Sequence, residues 1–222
     1  MRVFAIIPAY NEAARIAPVI AGTRPFVETV LVVNDGSKDD TEKVAGEAGA
    51  TVLNQPRNMG KGAALQAGFD WCMAQGAEAI ATLDADGQHR PEDIPRLLEP
   101  LQDPAVGGVV GSRRAESSRM PFIRRMTNYF TSWLLSQVAG QRMEDTQSGY
   151  RVYRPQLLRE CLVASVRFEA ESEVLIRAAR RGWRIAWVPI EAIYLEGRVS
   201  HIHPIRDSIR FFQMVWRVWR ES

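Results

Sequence analysis

The sequence predicts an α/β fold: a mostly parallel central sheet with helices on both faces. Three observations carry that expectation. Short apolar, β-branched runs alternate with helical patterns through the first half of the chain. Polar turns follow those runs directly, where open α/β sheets bind ligands. The chain has 222 residues, 46% of them hydrophobic, enough for one domain with a sizeable core.

The elements follow in order. Val3 to Ile7 reads as a first strand, Pro8 to Glu12 as its loop, and Ala13 to Ala21 as a short helix. Val30 to Val33 is the second strand, ending in Asn34-Asp35-Gly36-Ser37. Asp39 or Asp40 caps a helix over Thr41 to Ala48, and Gly49 closes it. Thr51 to Asn54 is a third strand, and Gly60-Lys61-Gly62 opens a helix through Met73. Ala77 to Leu83, apolar throughout, is a fourth and buried strand. Pro91 to Leu101 reads as a helix beginning at proline, and Val106 to Gly111 as a fifth strand.

Two amphipathic stretches lie in the second half. Phe122, Met126, Tyr129, Phe130, Trp133 and Leu134 share a face at helical spacing. Ile205, Ile209, Phe212, Trp216 and Trp219 do so more cleanly, flanked by Arg206, Arg210, Arg217 and Arg220. Tryptophan beside arginine suits a helix lying on anionic lipid. The other reading is a helix packed on its own domain or on a second subunit. No repeat, low-complexity segment or linker interrupts the chain. The expected division is one domain over residues 1–204 and a C-terminal amphipathic helix over 205–222.

Composition narrows the function classes. A net charge of +2, from 28 basic and 26 acidic residues, sets up no global field for nucleic acid. Cys72 and Cys161 sit in apolar helical patterns, as buried thiols rather than a disulfide framework. The apolar part of the N-terminus is too short for a signal peptide, and no stretch approaches the ~18 apolar residues of a membrane span. A cytoplasmic protein, peripheral on the membrane face, is expected.

Asp84-Ala85-Asp86 is the most informative motif. Two carboxylates sit one residue apart at the end of an apolar strand, and residues i and i+2 of an extended segment point the same way. Such like charges repel unless a cation sits between them and a ligand phosphate. Gln88 adds an oxygen ligand, so the turn suggests a divalent metal clamping a nucleoside diphosphate; the other reading of a lone DxD is a turn or helix cap. Three further places carry site-like chemistry. Tyr10 can stack on a base while Glu12 accepts from ring or ribose donors. Asn34-Asp35 offers short acceptors to a ribose or base imide, or forms an Asx-turn. Gly60-Lys61-Gly62 exposes amides and a cation to an anion, or is ordinary helix entry. It has neither the P-loop spacing nor a dinucleotide GxGxxG.

Together IIPAYNE, VVNDGSKDDT, NMGKGAAL and DADGQHRPED resemble the family 2 glycosyltransferases of GT-A fold, in that family's order and spacing, over about residues 3 to 205. The resemblance implies that Pro8, Tyr10, Glu12, Val33 and Asp35 bind the nucleoside of a GDP- or UDP-linked sugar. It implies that Asp84, Ala85 and Asp86 serve the sugar nucleotide and its Mg²⁺ or Mn²⁺, with Gln88 completing the metal site. Gly111-Ser112-Arg113, Arg124-Arg125 and Asp145-Thr146-Gln147-Ser148-Gly149-Tyr150-Arg151 look like the polyprenyl-phosphate sugar transferases, the dolichyl-phosphate mannose synthase group. Phe168-Glu169-Ala170-Glu171 and Val188-Pro189-Ile190 also fit that group. Arg113 and Arg125 match its acceptor-phosphate positions, where guanidinium forks suit a phosphate. Arg198 falls where that group carries basic residues over the donor phosphates. The chain departs at His201, where lysine or arginine is expected, and at Asn34, where aspartate is common.

The implied chemistry is metal-dependent, inverting transfer of a sugar to a polyprenyl phosphate. An ionised phosphate needs positioning more than a base. The alternative is a hydroxyl acceptor with Asp145 as base, unless Asp145 is a cap or turn residue. A non-catalytic sugar-nucleotide binder is disfavoured by the intact DADGQH with Arg113. A nucleotidyltransferase is disfavoured by the lack of a glycine-rich basic loop near residues 5 to 15.

Overall fold

Neighbouring residues of the first strand enter different cores. In β1 (Val3–Ala9), Val3, Ala5, Ile7 and Ala9 join one buried cluster, and Phe4 and Ile6 join another. A strand buried on both sides needs layers on both sides. The computed structural model describes residues 1–114, 122–161, 165–191, 193 and 204–221, without the side chains of residues 124, 204 and 205.

The strands that follow are β2 (Thr29–Asn34), β3 (Thr51–Asn54), β4 (Ala79–Thr82), β5 (Val106–Ser112), β6 (Arg151–Tyr153) and β7 (Arg184–Pro189). They form a seven-stranded sheet in the order β3-β2-β1-β4-β6-β5-β7. Every pairing is parallel except those of β6, which runs antiparallel to β4 and β5. The helices are α1 (Ile16–Thr23), α2 (Thr41–Glu47), α3 (Lys61–Ala74), α4 (Ile94–Leu98), α5 (Phe122–Ala139), α6 (Pro155–Glu160), α7 (Glu169–Arg180) and α8 (Pro204–Arg220). Ile16 and Ile20 of α1, Ala45 of α2, and Ile94 and Leu97 of α4 cover one face. Leu65 and Phe69 of α3, Leu135 of α5, Leu157 of α6, Leu175 of α7 and Met214 of α8 cover the other.

All five expected strands are present. The fourth is shorter than expected, with Ala79–Thr82 on the ladder. The first helix starts at Ile16, because the Glu12 carbonyl first accepts the Arg15 and Ile16 amides in a turn. The helix expected over 91–101 is three short turns: a 3₁₀ turn, α4, then a second 3₁₀ turn. Pro95 and Pro100 have no N–H to continue one ladder. The second helix is preceded by Asp40, but Asp39 bonds its first amide, Thr41 N–H, at 3.1 Å. β6 and β7 were not anticipated. Both thiols are free and buried, and burial pushes Cys72 up to about 12 and Cys161 up to about 11.

α8 is fastened to the domain rather than set apart from it. Met214, Val215 and Val218 are buried, and Arg217 donates to the wholly buried Glu173 of α7 at 2.8 Å. Arg177 donates to the same carboxylate at 2.8 Å, and Arg180 donates to the Val218 carbonyl.

Candidate active site

The antiparallel course of β6 creates the site. β4 and β5 end at the same edge of the sheet, and the chain enters β6 from that edge. The segment 145–150 therefore threads between the turn after β4 and the residues after β5.

The turn after β4 holds Asp84. Its Oδ1 lies 2.6 Å from Lys61 Nζ, and its Oδ2 lies 3.3 Å from His89 Nε2. Lys61 Nζ is also 2.8 Å from Glu171 Oε2. Burial favours neutral Asp84, but the Lys61 charge and the His89 hydrogen bond hold its carboxyl well below the usual range. Burial acts on Lys61 in the opposite sense to its two carboxylates, and the carboxylates win, so its pKa is raised. Lys61 is thus turned onto carboxylates and away from the anion expected at the start of α3. The glycines there serve packing. A Cβ on Gly62 would stand 2.6 Å from Ala170 Cβ, and the Ala63 amide is given to the Val166 carbonyl.

Asp86 differs from Asp84. It is buried, and its Oδ1 accepts the Gln88 amide at 2.9 Å, closing the turn in which Gly87 takes φ +73°. Ala85 packs into the core and has only its backbone to offer a ligand. Gln88 is partly exposed, and its carbonyl accepts the Ile193 amide at 3.0 Å. Among the described residues, no group of three His, Cys, Asp or Glu stands ready to hold a metal ion. Mg²⁺ on phosphate substrates takes one or two carboxylates and completes its shell with phosphate oxygens and water. Asp86 with Gln88 fits a cation that arrives with a diphosphate, and does not fit a preformed cage. His89 packs its ring 4.9 Å from that of Tyr150, and its buried Nδ1 has no hydrogen-bond partner among the described residues.

The loops after β1 and β2 form one platform. Asn11, at φ 55°, accepts from the Lys38 amide and donates its own to Ser37 Oγ, at 2.8 and 2.9 Å. The Glu12 amide donates to Thr41 Oγ1 at 2.8 Å. Tyr10 and Glu12 lie on this platform, both partly exposed, and Arg15 reaches Glu12 at 3.2 Å. Pro8 is partly buried, while Val33 is wholly buried in the core. Asp35 accepts the Met59 and Gly60 amides, at 2.7 and 2.8 Å, and so fastens the approach to α3. Burial raises its pKa beyond what those bonds offset. Asn34 Oδ1 accepts the Ser37 amide at 3.1 Å, three residues on rather than the two of an Asx-turn.

At the end of β5, Arg113 clamps Asp145. Asp145 Oδ2 accepts the Arg113 amide at 2.9 Å and its Nε at 2.8 Å. Oδ1 accepts Arg113 Nη2 at 2.8 Å and Asn128 Nδ2 at 2.9 Å. Asp145 is fully buried, and although burial raises its pKa, the Arg113 bonds bring it below the ordinary value. Sealed with four donors on it, Asp145 holds the Arg113 guanidinium in place. Arg125 lies in the first turn of α5, 5.5 Å over the Phe122 ring. Arg198 and His201, and the Arg124 side chain, lie outside the described residues.

Residues not singled out as site residues complete the geometry. Asn128, Arg151, Glu171 and Gly149 belong to it. Arg151, buried, donates to the carbonyls of Thr146, Ser148 and Glu171. The Gly149 carbonyl accepts Thr82 Oγ1 at 2.9 Å, and a Cβ on Gly149 would stand 2.8 Å from both Asp84 Oδ2 and Lys61 Nζ. Gly149→Ala is therefore expected to cost about 1–3 kcal/mol, read as a lower midpoint in urea. A midpoint equal to wild type would show that the turn yields freely. In sequence, the SGYR and FEAE phrases pointed at Gly149, Arg151 and Glu171 without naming a partner, and nothing pointed at Asn128.

The glycosyl transferase family 2 model matches residues 4–164. The chain is 34% identical to the undecaprenyl-phosphate mannosyltransferase of Micrococcus luteus, over 88% of this chain and 85% of that protein. It is 32% identical to the polyprenol monophosphomannose synthase of Mycolicibacterium smegmatis, over 85% of this chain and 76% of that protein. Among solved structures, the glucosyl-3-phosphoglycerate synthase of Mycobacterium tuberculosis, in complex with phosphoglyceric acid, superposes with a TM-score of 0.77. It covers 98% of this chain and 79% of its own at 23% identity, a likeness of fold. The same enzyme with Mn²⁺, UDP-glucose and phosphoglyceric acid gives 0.75 at 21% identity, with 98% and 79% covered. The fold is of the GT-A type, and the chain belongs to glycosyl transferase family 2: it is a glycosyltransferase.

Proposed function

We propose that this glycosyltransferase moves a sugar from a GDP- or UDP-linked donor to a polyprenyl phosphate, with inversion at the sugar carbon. The observation that carries this reading is the placement on either side of β6 of Asp86, in the turn after β4, and of a clamped Arg113, directly after β5. An acceptor phosphate is largely ionised near neutral pH, its second pKa being about 6, and so asks for a held guanidinium rather than a base. Asp145 sealed against Arg113 suits that demand. The mannosyltransferase and mannose synthase names of the similar proteins support the same acceptor class.

In this reading Tyr10 and Glu12 meet the nucleoside from the platform, with backbone from Pro8 and Val33, and Asp35 keeps the adjoining loop in place. Asp86 and Gln88 would hold Mg²⁺ or Mn²⁺ together with the donor diphosphate, and Asp84 borders that site. The bound cation would neutralise charge on the departing diphosphate. Arg113 and Arg125 receive the acceptor phosphate, and the donor-phosphate role that the resemblance implies for Arg198 falls on a residue outside the described ones. The test is incubation with labelled sugar nucleotides and polyprenyl phosphate, followed by lipid extraction. Label in the lipid phase is expected, and none with any donor would overturn the acceptor.

The reading places the enzyme peripherally on the cytoplasmic face of a membrane. Among the described residues, no helix is long and apolar enough to cross one. α8 exposes Ile209, Phe212, Trp216 and Trp219 opposite its packed face, and α5 exposes Phe122, Met126, Phe130 and Trp133. Arg206 and Arg220 are exposed beside the α8 stripe, whereas Arg217 turns inward to Glu173. Aromatic rings with flanking arginines suit an anionic surface, each arginine there adding about 1 kcal/mol. Replacing Trp216 and Trp219 by serine is expected to weaken co-sedimentation with anionic vesicles while the melting temperature changes little, because both side chains are more than half exposed. Unchanged sedimentation would remove α8 from the membrane face.

A further inference from the structure

Behind the Asp84–Gln88 turn lies a buried cluster of two cations and two anions. Lys61 bridges Asp84 and Glu171 at 2.6 and 2.8 Å, and Arg151 Nε stands 3.8 Å from Glu171 Oε1. Its members come from four places: the start of α3, the turn after β4, the start of β6 and the first turn of α7. Arg151 is 1% exposed and Glu171 11%, whereas Asp84 is 30% exposed. Buried ion pairs are weak stabilisers, often replaceable by apolar side chains without loss. Stability is thus a poor reason for four charges here. Glu171 sits in the first turn of α7, where the helix dipole favours an anion, and the Oε1 that faces Arg151 has no hydrogen-bond partner among the described residues.

We propose that Glu171 is a positioning residue that sets the charge of the donor site: by pairing with Lys61 it keeps the cluster neutral, and so decides how strongly donor binding depends on the divalent cation. The inference rests on reading the Asp84–Gln88 turn as the donor-diphosphate site. With Glu171 neutralised, one positive charge of the cluster is unbalanced beside Asp84. A bare diphosphate then binds more tightly, and a cation gains less by joining it. With Lys61 neutralised, the imbalance is negative and both effects reverse. A unit charge several ångströms away, at an effective dielectric near 20, changes an ion's affinity by about tenfold.

The test is calorimetric binding of UDP and of GDP, each without metal and with saturating Mn²⁺, to the full-length wild type, Glu171→Gln, Lys61→Met and the double variant. Glu171→Gln is expected to tighten metal-free binding and to shrink the Mn²⁺-dependent gain, each by about tenfold. Lys61→Met is expected to do the reverse, and the double variant to return toward wild type. Loss of packing would move both single variants the same way. Shifts in one direction, or none, would overturn the inference while leaving the site reading intact. If the single variants do not fold, the double variant decides: a folded double variant with an altered Mn²⁺ gain overturns the proposal. A wild type that binds neither nucleotide, with or without Mn²⁺, overturns the site reading and this inference with it.

Discussion

Asp86→Ala is expected to reduce transfer by three orders of magnitude or more, with the fold intact. Lewis-acid stabilisation of a departing diphosphate is worth several kcal/mol, and each 1.36 kcal/mol is about tenfold in rate. Asp86 is the buried carboxylate of the turn, and its neighbour Asp84 is engaged on both oxygens by Lys61 and His89. Asp84 is therefore poorly placed to substitute for it. Excess chelator should silence the wild type, and added Mg²⁺ or Mn²⁺ should restore it. The measurement is transfer rate against free metal for wild type and variant, with the melting temperature as control. Full activity in excess chelator would remove the cation from the mechanism.

Arg113→Ala is expected to lower acceptor efficiency by about ten- to a hundredfold while donor affinity survives, since a hydrogen bond to a charged group contributes about 1.5–3 kcal/mol. The same change leaves Asp145 buried with Asn128 as its remaining side-chain donor, so stability should also fall, by about 3–5 kcal/mol. Arg113→Lys returns the charge without the fork and should recover part of the activity. Arg125→Ala should weaken acceptor use without the stability loss. Asp145→Asn separates the two roles. An orienting residue predicts a raised KM for the acceptor with kcat largely kept, whereas loss of a base predicts kcat down by about 10²–10⁴ with acceptor saturating. Equal loss of donor affinity in the arginine variants would move those residues to the donor site.

The Asp145–Arg113 clamp also fixes the sign of an acid effect. The native pKa of Asp145 lies below its unfolded value, so the pair's stabilisation is in place above about pH 4 and is lost as pH falls through the native pKa. Stability of Asp145→Asn should be flatter over that acid range.

The strands that carry the site were legible because their signals are local. Val3 to Ile7 and Ala77 to Leu83 are apolar runs closed by polar turns, and that pattern survives without tertiary context. Asp84 and Asp86 could be placed at a strand end on those grounds, whereas Arg113 came from the family resemblance. β6 was not legible. Arg151–Tyr153 is three residues long and opens with a buried arginine, which no periodicity rule assigns to a core strand. Pro95 and Pro100 were visible, yet the surrounding apolar spacing concealed how completely they divide the helix.

Residue type and order alone determined that this chain is an α/β protein with acidic, amidic and basic groups at the carboxyl edge of its sheet. Turn chemistry and side-chain period act over a few residues, so they are written in the chain. Which charge meets which was decided only by tertiary structure. Lys61 reads as an anion grip in its own loop and becomes the bridge between Asp84 and Glu171 once α7 closes over α3. Asp145 reads as a possible base and becomes the holder of Arg113 once β6 inserts between β4 and β5. A carboxylate's role depends on the donors within about 3 Å of it and on whether water reaches it. Here those donors come from segments far apart in sequence, brought together by the burial of the sheet's two faces.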